Sequence, residues 1–283
     1  MGELLMHSKW FVSVAGLACA FSLLRPISAI AADGVGSRDS RPANGPVAGY
    51  LPAHDVPDAA VLLGPPPADG SGTKIGDEET FRKTRELEGT PRWALAATDA
   101  EYGPAALLRV FSCAAGRALS PDRLPTLSHM LARALEDSSA ATQHAKKLYQ
   151  RPRPFLDHEG PVCVLKDQRL VASYSYPSGH SAAGWMAGLI LAALLPDHAA
   201  DLLARARSYG ESRVVCGVHY ESDVQAGRMT AAAVFAALES NPAFRADLAT
   251  ARRELHRSAR DGSARDDGNS CAVQADAAKM PVW

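Results

Sequence analysis

The chain has almost no charge imbalance: 30 lysines and arginines stand against 31 aspartates and glutamates, for a formal net charge of -1. That removes the electrostatic signature of a protein that binds a nucleic-acid polymer, so any anion must be held by local clustering. Beyond the N-terminus the sequence also lacks a continuous apolar run of about 18 residues free of charge, which excludes a body built from membrane spans. It has no C-x-x-C pair and no carboxylate-rich cluster, so no metal site is expected and no cofactor is implied. Strand-like stretches are scarce. Only 162–165 and 170–174 have any strand character, both are short, and no internal repeat is present.

What is present starts with a leader. Lys9 precedes the apolar stretch from Trp10 to Leu24, and RPISAIAADG follows. Charged, apolar and small-residue regions in that order are the pattern of a secretory signal peptide over 1–31, with cleavage expected after Ala31. Arg25, close behind the apolar core, leaves a retained membrane anchor as the alternative. Export would place the mature chain in the periplasm or outside the cell, free of the membrane. Four of the five cysteines would remain: Cys113, Cys163, Cys216 and Cys271. In an oxidising compartment they invite disulfides with three possible connectivities, and buried free thiols are the other reading.

Residues 32–59 are rich in Gly, Pro and Ala without periodicity and read as an extended segment. From about 60 to 257 helical patterns dominate, giving an all-α fold with a single helical-bundle domain. A helix in DEETFRKTRELEG ends at Gly89, and Pro91 opens another. Further helices are expected over 104–115, 126–149, 181–195, 201–215, 221–238 and 242–257. The polar stretch 258–283 reads as a mobile tail.

Three clusters carry chemistry. In KKLYQRPRPF, Lys146 and Arg153 approach one another from a helix end and a loop, because Pro152 and Pro154 stop the helix. In YPSGHSAAGW, Ser178 is a good helix N-cap and Gly179 lets an oxyanion approach free backbone amides. His180 beside that nest is placed to pass a proton. In GESRVVCGVHYESD, His219 and Asp223 are four residues apart, so a helix would make their side chains neighbours. A carboxylate on one imidazole nitrogen fixes the tautomer and frees the other nitrogen as a nucleophile. Gly217 permits a break between Arg213 and His219. Two histidines, one carboxylate, three cations and a helix N-terminus fit phosphoryl transfer through a histidine.

In order, these clusters match the Lys-x6-Arg-Pro, Pro-Ser-Gly-His and Ser-Arg-x5-His-x3-Asp signature of the type 2 phosphatidate phosphatase superfamily, which includes the vanadium haloperoxidases. Within it the chain resembles a bacterial class A non-specific acid phosphatase, from about Leu62 to His256. LGPPP, TPRWALAATDA, FSCAAG and NPAFRADLATARREL share that likeness. The resemblance implies hydrolysis of small phosphate monoesters, with His219 attacking phosphorus and Asp223 orienting its ring. His180 would protonate the leaving group and then activate water. Lys146, Arg153, Arg213, Ser178 and the Gly179 amide would hold the phosphate oxygens, with no metal. Arg151 is not a signature position and reads as a supporting or surface charge. Class resemblance favours a homo-oligomer. Three alternatives share parts of the signature: a membrane lipid phosphatase, a vanadate-dependent haloperoxidase and a non-catalytic phosphate-binding protein.

Overall fold

The computed structural model describes residues 47–260, 268–279 and 281–283. The leader over 1–31 and its cleavage point lie outside those residues. Among the described residues there are twelve α-helices, one 3-10 turn at Pro196–His198 and no strand. In chain order the helices are α1 (Ala59–Leu63), α2 (Gly72–Arg85), α3 (Pro91–Thr98), α4 (Pro104–Ser112), α5 (Pro125–Tyr149) and α6 (Pro154–Asp157). Then come α7 (Gln168–Val171), α8 (Gly179–Leu194), α9 (Ala199–Val215), α10 (Glu221–Ser240), α11 (Pro242–Arg260) and α12 (Gly268–Lys279).

Local chemistry sets many of these boundaries. Proline occupies the first turn of α3, α4, α5 and α6, where its missing N–H costs nothing. The side chains of Ser71, Thr90 and Ser178 cap α2, α3 and α8 by accepting backbone N–H bonds. The long α5 stops at Gln150, which adopts the left-handed conformation, and Gly89 closes the turn after α2 with positive φ.

The centre of the molecule is α8. Its mean composition is apolar nearly all round, and it packs chiefly on α9 and α10, then on α5. Small residues allow that close approach. A Cβ on Gly184 would come within 2.1 Å of the Tyr209 ring on α9. Met186, Ile190 and Leu191 of α8 join Leu131, Leu202, Val234 and Phe244 in one continuous core.

The structure differs from the sequence expectation in three places. The 162–165 stretch is a loop, held by a disulfide between Cys163 and Cys216, and 168–171 is the helical turn α7, capped by Asp167. Within the segment read as extended, Tyr50 is buried in the core against Phe244, and its N–H donates to Asp137. The stretch 258–283 read as a mobile tail contains α12, which packs on α9 and α3 and is tied by Cys113–Cys271. Composition alone marks that helix as solvated. The covalent bond to α4's C-terminal end holds it on the domain.

Candidate active site

Each of the three clusters reaches the site from a different element. Lys146 lies in the last turn of α5, and Arg153 is the N-cap of α6, beyond the left-handed break at Gln150. The helix end and the loop therefore converge as their prolines require. Lys146 Nζ donates to the Tyr174 carbonyl at 2.7 Å. Arg153 donates to the Val218 carbonyl at 2.8 Å and to Ser173, and its Nη1 lies 3.1 Å from His219 Nε2.

Ser178 caps α8 through its hydroxyl oxygen, which accepts from Ser181 N at 3.2 Å, and its own N–H donates to the Asp223 carbonyl at 2.9 Å. The N-terminus of the central helix is thereby tied to α10. Gly179 opens α8, and a Cβ there would meet only Thr142 Oγ1, at 3.8 Å. Packing within the protein does not demand a glycine at that point.

Arg213 sits in the last turn of α9. Gly217, at φ 78°, then turns the chain so that His219 enters the site from the loop before α10. His219 and Asp223 are thus not on one helix, as their spacing alone would have it. They meet because Asp223 is the third residue of α10 and folds back over its N-terminus. There Oδ2 accepts from Tyr220 N at 2.8 Å and lies 3.4 Å from His219 Nδ1. One carboxylate caps the helix and faces the ring.

All eight residues named from the sequence come together here; Arg153, Ser178, Arg213, His219 and Asp223 are buried, and Lys146, Gly179 and His180 are partly buried. Burial, then the charges of Arg153, Lys146 and Arg213, holds His219 well below the ordinary imidazole range. His180 is likewise held well below it, by burial and then by Arg213. Burial and the neighbouring Arg153 push Lys146 down to about 7, and burial and Arg213 push Arg153 down to about 10. Arg213 is the least satisfied of the cations. It is buried, and neither its Nε nor its Nη1 has a hydrogen-bond partner. A buried guanidinium left this way carries a large desolvation penalty, which a bound anion would offset.

Sequence reasoning left one contributor open between two readings and missed another. Of the two readings of Arg151, supporting charge and surface charge, the structure gives the first, with the guanidinium buried. Its Nη1 donates to Asp223 Oδ1 at 2.6 Å and its Nη2 to Asp77 Oδ2 at 2.8 Å, so it backs the carboxylate that faces His219. Asp99, at the end of α3, accepts through its main-chain oxygen from His180 Nε2 at 2.7 Å. The only local signal for Arg151 was its place in RPRP, and Asp99 had none. Among the described residues, no three His, Cys, Asp or Glu side chains form a metal-binding group.

A model of the PAP2 superfamily matches residues 126–243, which span all three clusters. An acid phosphatase of Zymomonas mobilis subsp. mobilis is 43% identical over 215 residues, covering 76% of this chain and 81% of that protein. The chain belongs to the PAP2 superfamily, among its bacterial acid phosphatases. The non-specific acid phosphatase of Providencia stuartii is 38% identical over 208 residues, 73% of this chain and 84% of that one. That of Salmonella typhimurium is 39% identical over 196 residues, 69% and 78%. A solved structure, the first transmembrane PAP2 type phosphatidylglycerolphosphate phosphatase from Bacillus subtilis, aligns at 19% identity with a TM-score of 0.42. It covers 62% of this chain and 86% of that one, a likeness too distant to bear on the site. In the PAP2 member described here, no helix among the described residues is long and apolar enough to cross a membrane.

Proposed function

We propose that this chain is an acid phosphatase that hydrolyses phosphate monoesters in two displacements at His219, with the protein's own cations in place of a metal. The observation that carries the reading is Arg213, a buried guanidinium with Nε and Nη1 unpartnered, beside a buried histidine whose far nitrogen faces a carboxylate. The phosphoryl oxygens lie among Lys146, Arg153, Arg213, the Ser178 hydroxyl and the Gly179 amide. In the first step the His219 Nε2 lone pair forms a bond to phosphorus as the P–O bond to the leaving group breaks. Protonated His180 gives its proton to that leaving oxygen. In the second step water attacks phosphorus, His180 takes the water proton, and the P–N bond breaks to release phosphate. Asp223 balances the charge on the His219 ring throughout.

The electrostatics fit mildly acidic operation. The low proton affinity of His219 keeps its nucleophilic nitrogen free of a proton below neutrality. His180 needs a proton instead, and the negative substrate supplies the charge that offsets Arg213. The cradle recognises phosphate rather than its substituent, which favours broad specificity and allows transfer to alcohols in place of water. Class resemblance adds export after cleavage following Ala31 and assembly as a homo-oligomer. N-terminal sequencing of the mature protein and light scattering test those two points.

The central test is p-nitrophenyl phosphate turnover at mildly acidic pH with a chelator present. Wild type should turn over unchanged, His219→Ala should lose at least about four orders of magnitude, and vanadate should compete. A quenched reaction should leave an acid-labile, base-stable phosphoryl label on His219. Wild-type turnover in His219→Ala, or loss of activity with chelator, overturns the proposal.

A further inference from the structure

His180 is held from behind by a structure that the phosphoryl chemistry does not by itself explain. A carbonyl oxygen can only accept, so the 2.7 Å contact from His180 Nε2 to Asp99 O places the hydrogen on Nε2. Nδ1 is then the ring nitrogen that exchanges a proton. The ring is also wedged flat against Tyr209, with centroids 4.8 Å apart and planes 12° apart, and it is flanked by Tyr102 at 5.6 Å.

The carbonyl belongs to a short turn after α3, and that turn is fastened to α9. The Asp99 carboxylate is fully buried. It takes Arg205 Nη2 at 2.5 Å, Arg205 Nη1 at 3.1 Å and the Ser212 hydroxyl at 2.6 Å. Ser212 in turn accepts from Arg92 at 2.9 Å and is the residue before Arg213. Arg205 Nε donates to Gln274 of α12 at 3.1 Å, and Tyr209 donates to the Glu101 carbonyl at 3.0 Å. A buried, bidentate ion pair of this kind is more valuable for fixing geometry than for net stability.

We propose that Asp99 is a positioning residue for proton transfer: its carbonyl fixes His180 in the Nε2-protonated form, and its carboxylate, clamped by Arg205 and Ser212, holds that carbonyl in place. The inference rests on the reading of His180 as the proton donor. The same carbonyl also supports the proton affinity of His180 against burial and Arg213. If the turn moves, the Nε2 hydrogen loses its acceptor, and Nδ1 is no longer held as the acid.

Leaving groups supply the test, because a poor one needs the proton and a good one does not. For Asp99→Asn, kcat/KM on an alkyl phosphate should fall by about 10²–10³-fold. On p-nitrophenyl phosphate the loss should stay below about tenfold. Asp99→Asn/Arg205→Met removes both charges, leaving no unpaired guanidinium, and should show the same split. Equal losses on both substrates, or none, overturn the positioning role. His180→Ala serves as the reference. If it lacks the split, the proton-donor reading fails; if it has the split and the Asp99 variants lack it, only the positioning inference fails. Nitrogen-15 spectra of the wild-type protein give a readout that needs no variant. The His180 ring should carry its hydrogen on Nε2, and a neutral ring protonated at Nδ1 overturns the proposal.

Discussion

Asp223 must stay ionised where burial pushes its carboxyl up, and Arg151 at 2.6 Å is the charge that works hardest against that burial. Arg151 is in turn held by Asp77, whose other oxygen accepts from Ser222 N at 2.9 Å. Removing the cation from this chain should let Asp223 protonate at higher pH. The acid limb of the kcat/KM profile of Arg151→Gln should therefore move upward in pH, while Arg151→Lys restores part of the wild-type position. The same substitution breaks a buried pair and should cost about 3–5 kcal/mol of stability. A pH–rate profile and a denaturant titration check the two effects. An unmoved acid limb would mean that Arg151 has no hold on Asp223. The reason Arg151 was left between two readings and Asp99 was not legible in the sequence is physical. Their partners lie far along the chain, Asp77 from Arg151 and Arg205 from Asp99, and a burial-dependent role has no local spacing. His219 and Asp223 were legible as a pair, but through the wrong geometry. They meet across a helix cap rather than along a helix face.

At the scale of elements, the helices were readable because proline, glycine and capping residues punctuate a 3.6-residue pattern. Cores of elements matched better than their ends: α2 begins at Gly72, ahead of the acidic run that marks it in the sequence, and α8 begins at Gly179. The helix α12 was not readable, because its polar composition resembles a solvated tail and its anchor is a cysteine partner in α4's flank. The three possible cysteine connectivities resolve into Cys113–Cys271 and Cys163–Cys216, a choice that only the folded chain makes. The tightest element contact is also one the site depends on. Tyr209 packs over Gly184 on one helix turn and against the His180 ring on the other. Gly184→Ala must push that ring or separate α8 from α9. Such overpacking costs about 1–3 kcal/mol, or roughly 2–12 °C in melting temperature for a domain of this size. Calorimetry checks the loss, and an unchanged melting temperature would show that the interface yields without strain.

At the scale of the molecule, a nearly neutral chain concentrates buried positive charge at one place, and stability should register it. Lys146 has a folded value of about 7 against about 10.4 unfolded. As pH falls through that interval the unfolded chain binds a proton that the folded one refuses, so the folded state loses stability until about pH 7. His180 and His219, both depressed, extend the loss below about pH 6.5. The partly exposed carboxylates Asp58 and Glu78 and the exposed Glu79 have lowered values and lose their contribution only further to the acid side. Asp137 and Glu221, raised by burial, act with the opposite sign. Those groups do not face the cradle, so a comparison with and without phosphate removes them. Without phosphate, the melting temperature should fall as pH is lowered from about 8 to about 5. Phosphate at about 100 times its dissociation constant should add about 2.7 kcal/mol, or roughly 5–10 °C. It should also flatten the pH slope, because the anion restores proton affinity to Lys146 and His180. Thermal melts across this range, with phosphate and with sulfate as a comparison anion, read both effects. A slope that phosphate leaves untouched would mean that the buried cations are not where the anion binds.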